Sequence, residues 1–243
     1  MAELKLPEGI RKSIDEFVGS LKELYENQLL SVVLYGSAAG GELTRVYSNI
    51  NILVVLQNTD LSTLEMARRL VNKRSNRRID PLFLSREYLL SSSDVFPIEF
   101  LDMREKHVCL YGEDIFKEIK IDLKNLRFQC EQELKSKLIL LKQQYLRVDP
   151  GDKQVLANLL FGNFTSLVHI LRNLLRLKGQ AMPAATQEVF KEVAIRFGVK
   201  TDTLSEIWQA KKDPAHLRAE GLRALLADLV LELERIVNTV DNL

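Results

Sequence analysis

The stretch Val32–Leu56, VVLYGSAAGGELTRVYSNINILVVL, decides how this chain is read. It links two short apolar runs, LLSVVLY at Leu29–Tyr35 and NINILVVL at Asn49–Leu56, through a turn of small residues. Both runs are rich in branched aliphatic residues, which pack well on a pleated surface, and both have the length of a buried strand rather than of a helix. Gly36 and Ser37 stop the first run, Asn49-Ile50-Asn51 starts the second, and eleven residues separate Ser37 from Asn49. On a strand, residues 49 and 51 point to one face, about 7 Å apart along the backbone, while Ile50 points to the other.

That pattern has a chemical reading. A glycine turn after a strand lets the backbone approach a phosphate closely, and Ser37 adds a hydroxyl and a backbone N–H. A helix N-terminus following the turn would contribute favourable partial positive charge. Two side chains projecting from one face of the next strand are placed to hold metal ions against that phosphate.

These residues resemble the signature of the nucleotidyltransferase superfamily that includes DNA polymerase beta and kanamycin nucleotidyltransferase: a strand, Gly-Ser or Gly-Gly, a spacer of this length, then acid, apolar, acid. The resemblance covers roughly the first half of the chain, and the helical second half is similar to the bundles that often follow the catalytic domain. It implies an α+β fold, with a small mixed sheet and helices followed by an all-α bundle. It also implies a nucleoside triphosphate and Mg²⁺ as cofactors, Gly36 and Ser37 as nucleotide-binding residues, and positions 49, 51 and 80 as metal positions. Asp80 resembles the third carboxylate, which helps bind one metal and deprotonates the attacking hydroxyl as a nucleoside monophosphate is transferred to it.

The chain departs from the signature at the triplet, which reads Asn49-Ile50-Asn51. Mg²⁺ sites normally rely on one or two carboxylates plus substrate phosphates, and here Asp80 is the one acid left. A unit charge about 4 Å from a divalent ion, at an effective dielectric of about 20, contributes about 8 kcal/mol gross. With about three quarters cancelled by desolvation, two such losses remove about 4 kcal/mol, on the order of a thousandfold in metal affinity. The expectation is a degenerate metal site, with transferase activity weak or absent. The alternative, from a different class, is a non-catalytic scaffold for nucleotide sensing or protein partners. Asn49 and Asn51 also have a purely structural reading as strand-start caps or loop-bonding residues, and Asp80 as a strand-end acid.

Outward from this stretch, Ile10, Ile14, Phe17, Leu21 and Leu24 recur at helical spacing across Pro7–Gln28, with Pro7 suited to the first turn. Leu61–Lys73 predicts a helix, Arg78–Leu84 a strand that Pro81 pushes to a sheet edge, and His107–Tyr111 a last strand. From Asp122 the periodicity is helical: Leu123–Val148, Lys153–Lys178, Thr186–Phe197, Thr203–Lys211 and Pro214–Val240. The boundary is read at Glu118–Asp122, giving a nucleotidyltransferase-like domain over 1–119 and a helical bundle over 120–243. The stripe Leu222, Leu225, Leu226, Leu229, Val230, Leu233 and Ile236 is broad enough for the bundle core plus a dimer contact, so the expected partners are a nucleotide and a protein partner or second copy.

Composition narrows the classes. The 243 residues carry 34 Lys and Arg against 33 Asp and Glu, a net charge of +1, which argues against a nucleic-acid partner held by a global basic field. Two cysteines, Cys109 and Cys130, and three histidines lack zinc-ligand spacing and a disulfide framework. With neither a leader-like start nor an unbroken apolar span, the expected address is cytoplasmic, with no membrane partner. There is no Gly-x-Ser-x-Gly elbow, and Cys109 reads as buried in an apolar strand. There is also no Walker loop and no Gly-x-Gly-x-x-Gly fingerprint. Asp94–Gly112 mixes Glu99, Asp102, Arg104 and His107 and reads mainly as sheet cover plus strand, with a direct role for Glu99 or Asp102 the lesser reading. His169 reads as a core or interface histidine, and Arg172, Arg176 and Lys178 as a solvated face.

Overall fold

The computed structural model describes residues 6–40, 49–73, 76–179, 183, 185–213 and 217–242. The chain divides into two compact units, Met1–Asp122 and Leu123–Leu243. Among the described residues the first unit contains one four-stranded sheet, and the second contains helices without strands.

In the first unit, helix α1 (Glu8–Tyr25) leads through a 3-10 turn into β1 (Leu29–Tyr35), followed by β2 (Ile50–Leu56), α2 (Leu61–Val71) and β3 (Ile79–Ser85). Two short helices, α3 (Arg86–Ser91) and α4 (Pro97–Glu105), precede β4 (His107–Gly112). The strand order is β3-β2-β1-β4. β1 lies antiparallel to β2 and β4, while β2 and β3 are parallel, with α2 as the crossover that a parallel pair requires. Pro81 sits on β3, an edge strand, where an absent N–H costs the ladder nothing on its open side.

The two central strands are buried on both faces, which is why they read as continuous apolar runs rather than alternating ones. Val32, Leu34, Ile50, Ile52, Val54 and Leu56 pack with Ile14, Phe17 and Leu21 of α1 and Ala67 of α2. Val33, Leu53 and Val55 pack on the other side with Leu89 of α3, Phe100 of α4 and the 3-10 turn carrying Ile115 and Phe116. The Tyr25 hydroxyl donates to the Thr63 carbonyl at 2.9 Å and ties α1 to α2. Asp60 caps α2 by accepting from the Thr63 N–H at 2.8 Å and the Ser62 hydroxyl at 2.7 Å, and these bonds hold its carboxyl down to about 2.

The second unit comprises α5 (Leu123–Tyr145), α6 (Lys153–Gly162), α7 (Phe164–Leu177), α8 (Thr186–Phe197), α9 (Asp202–Lys212) and α10 (Ala219–Asp241). The helix expected over Lys153–Lys178 is interrupted at Asn163, and the expected start at Pro214 lies outside the described residues, as does His216. α5 packs on α10 and α7, α7 on α8, and α10 on α6 and α9. Lys153–Leu177 is long and apolar enough to cross a membrane by length and composition alone. Its apolar positions Leu156, Leu160, Phe164, Leu167, Leu171 and Leu174 are nevertheless buried within the protein. On α10, Leu222, Leu225, Leu226, Leu229, Leu233 and Ile236 are buried, while Val230 of the same stripe is half-buried, so most of the stripe is spent inside the protein. The reading of Arg176 as solvated is also overturned: it is buried, and its guanidinium donates to the Asn173 side-chain carbonyl. Cys109, expected to be buried, is half-buried on the edge strand β4, whereas Cys130 is fully buried and its thiol is pushed up to about 12, chiefly by burial.

Two predictions follow from these contacts. Gly112 has φ +74°, and a Cβ there would meet the Leu30 carbonyl oxygen at 2.0 Å, so Gly112→Ala is expected to cost about 4 kcal/mol or more in chemical denaturation of the full chain. Glu232 of α10 is buried and accepts hydrogen bonds from Thr203 and Leu204 in the first turn of α9, where Thr201 supplies no side-chain cap. Burial outweighs those bonds and raises its carboxyl pKa, so the folded state holds this proton to higher pH than the unfolded chain does. Its contribution is therefore fully present below the ordinary carboxylate range and is lost as pH rises through the raised value. Thermal unfolding of Glu232→Gln across acidic to neutral pH is expected to lack that downward slope.

Candidate functional site

The register of the sheet brings the residues singled out in the sequence to one end of it. Asn51 is the register partner of Tyr35 on β1 and of Asp80 on β3, and Tyr35 is in turn the partner of His107 on β4. Asp80, Asn51, Tyr35 and His107 thus form a row across all four strands, with neighbours about 5 Å apart. Strand alternation puts Asn51 on the face of Leu53 and Val55, and Tyr35 on the face of Val33. Asn49, immediately before β2, is exposed; Asn51 is half-buried and Asp80 exposed.

Gly36 follows Tyr35 directly, with φ +74°. Its N–H donates to the Lys106 carbonyl at 2.9 Å, so the turn is fastened to the residue before β4. A Cβ on Gly36 would lie 3.2 Å from Asn51 Nδ2, which places the Asn51 amide against the turn. Residues 36–38 form a 3-10 turn in which Ser37 is half-buried. The helix N-terminus expected to follow falls on residues 41–48, outside the described residues. Asn49 and Asn51 have no side-chain hydrogen bond among the described residues.

Two members of the row were not singled out together by sequence reasoning. Tyr35 was read only as the end of a strand; burial, followed by the Asp80 carboxylate, pushes its phenol above the ordinary range, so it stays a protonated donor at neutral pH. His107 has acceptors at both ring nitrogens: Nδ1 lies 2.7 Å from the Arg104 carbonyl, and Nε2 lies 3.2 Å from Asp114 Oδ1. Its ring also packs edge-on against Phe116 at 4.9 Å. The signal available beforehand was the strand alternation itself, since any residue opposite position 51 shares its face. Glu99 and Asp102 lie on α4 rather than in the row, the first exposed and the second half-buried.

The row contains one carboxylate, Asp80, beside the Asn51 amide, the Tyr35 phenol and the His107 imidazole. Among the described residues no cluster of three His, Cys, Asp or Glu side chains could hold a metal ion. Asn carbonyl oxygens can ligate weakly, but a divalent ion held by one carboxylate lacks the charge that such sites normally use.

The chain superposes on the crystal structure of spectinomycin adenyltransferase AAD(9) from Enterococcus faecialis with ATP and spectinomycin. The TM-score is 0.55 over 92% of this chain and 99% of that one, at 14% sequence identity. The fold is that of a nucleotidyltransferase. At this identity the likeness lies in the backbone, and the nucleotidyltransferase fold is what the two chains share. No family model matches the sequence, and no curated protein matches it.

The Gly36 turn carries its own prediction. Gly36→Ala forces an L side chain into left-handed backbone and against Asn51. It is expected to cost about 1–2 kcal/mol and to shift the Asn51 side-chain amide resonances, read by thermal unfolding and by NMR of the full chain.

Proposed function

We propose that this protein binds a nucleoside triphosphate at the Gly36-Ser37 turn of a nucleotidyltransferase fold whose metal site is degenerate, leaving nucleotidyl transfer weak or absent. One observation carries the reading. Asn51 lies in register with Asp80 and against Gly36, so the strand position that faces the turn bears an amide instead of a carboxylate.

The donor set does not fit a divalent metal, and its remaining groups do different work. Ser37 and the Asn51 amide offer N–H and O–H donors toward phosphate oxygens, and the Tyr35 phenol adds a third donor. Asp80 opposes an approaching anion, which limits affinity. The likeness to a structure solved with ATP makes ATP the first nucleotide to test. A sensing or scaffold role is the second reading, supported by the same Asn49 and Asn51, because an amide site can bind without turning over.

Isothermal titration with ATP and the other nucleoside triphosphates, with and without Mg²⁺, tests this on the wild type and on Asn49→Asp, Asn51→Asp. The wild type is expected to bind with little Mg²⁺ dependence. The double variant is expected to gain Mg²⁺-dependent binding, with metal affinity higher by on the order of a thousandfold. Strong Mg²⁺ dependence in the wild type would overturn the degenerate-site reading. No binding by either protein would remove the phosphate role of the turn.

A further inference from the structure

α5 and α10 run antiparallel, with Arg127 Nη1 donating to the Val240 carbonyl at 3.2 Å near one end and Lys142 Nζ lying 2.6 Å from Glu234 Oε1 farther along. Beyond the Lys142–Glu234 pair the two helices part around a groove of about 390 Å³, walled by Leu141 and Tyr145 on α5 and by Ala227, Val230 and Leu231 on α10. Its walls are apolar, yet they face solvent: Leu231 is 52% exposed and Tyr145 44%. The apolar surface continues along α5, where Ile139 and then Leu146, just past the helix end, are 58% and 84% exposed. Ile139, Lys142 and Leu146 share one face by their spacing of three and four, as do Ala224, Ala227 and Leu231 on α10. Large apolar residues repeated on one solvent-facing stripe mark an interaction surface rather than the scattered exposure normal for a monomer.

We propose that this α5–α10 face is a self-association surface, covered by the same face of a second copy of the chain. The charges at its rim select that occupant. Lys142 and Glu234 give the groove one cation and one anion, both about half-exposed, so a strongly acidic or strongly basic partner sets a like charge against one of them. A two-fold partner presents the same pair inverted, Lys142 of each copy facing Glu234 of the other, which makes the rim self-complementary. Ala224 and Ala227 allow close approach of the partner helix, and the exposed Leu231 of each copy supplies a side chain of the right size for the other's groove. Of the α10 stripe only Leu226 and Val230 reach the groove, and the inference is independent of the nucleotide reading.

Sedimentation velocity of the full chain over a wide concentration range tests the proposal. The wild type is expected to show a reversible monomer–dimer equilibrium. Leu231→Arg and, on the exposed Ala227, Ala227→Arg should each abolish the dimer with an unchanged circular dichroism spectrum. Lys142→Glu and Glu234→Lys should each weaken it about tenfold, and the doubly exchanged variant should restore it. A wild type that stays monomeric at all concentrations overturns the proposal, as does a dimer that survives both arginine variants. A monomer that binds only a different protein overturns it as well.

Discussion

The antiparallel pairing of β1 with β2, buried on both faces, is the constraint on which the first unit depends. With Val32 and Leu34 packed under α1, and Val33 under α3 and α4, a slip of one residue would turn each apolar set to the wrong face. That fixed register is what sets Asn51 opposite Tyr35 and against Gly36. Because β2 is also the parallel partner of β3, the same constraint carries Asp80 to the neighbouring position. The site is therefore a consequence of core packing: its side chains need no mutual attraction to be assembled.

A scaffold of this kind keeps its geometry when its chemistry changes. An amide and a carboxylate are close to the same size, so at position 51 either leaves the strand pairing and the neighbouring Ile50 in its core place.

The helical unit obeys a different rule. Its stability comes from helix faces packed pairwise, and α10 spends its whole leucine stripe in that packing. Polar groups inside it are held by specific partners: Arg176 by Asn173, and Glu232 by the first turn of α9. The remaining apolar exposure is concentrated along α5 and the adjoining edge of α10, where electroneutral rim charges accompany it.

Much of the fold was legible because it rests on local pattern. The residues Leu29–Tyr35 and Ile50–Leu56 announce strands by composition and length, Pro81 announces an edge, and Thr186–Phe197 announces a helix by spacing. Helix α3 was missed because Arg86–Ser91 spans too few turns to show a period, and the break at Asn163 was missed because the apolar pattern continues across it. Arg176 was misread because a sequence shows charge but not the neighbour that permits its burial. The sequence by itself determined the strand pair, the Gly36-Ser37 turn and the presence of amides at 49 and 51, since each depends on residues within a few positions of one another. Only the tertiary structure decided that Tyr35 and His107 join Asn51 and Asp80 in one row, and that the leucines of the α10 stripe are buried while Leu231 is not. Those facts depend on which strand lies beside which and on which helix covers which face, and long-range pairing of this kind leaves no trace in local periodicity.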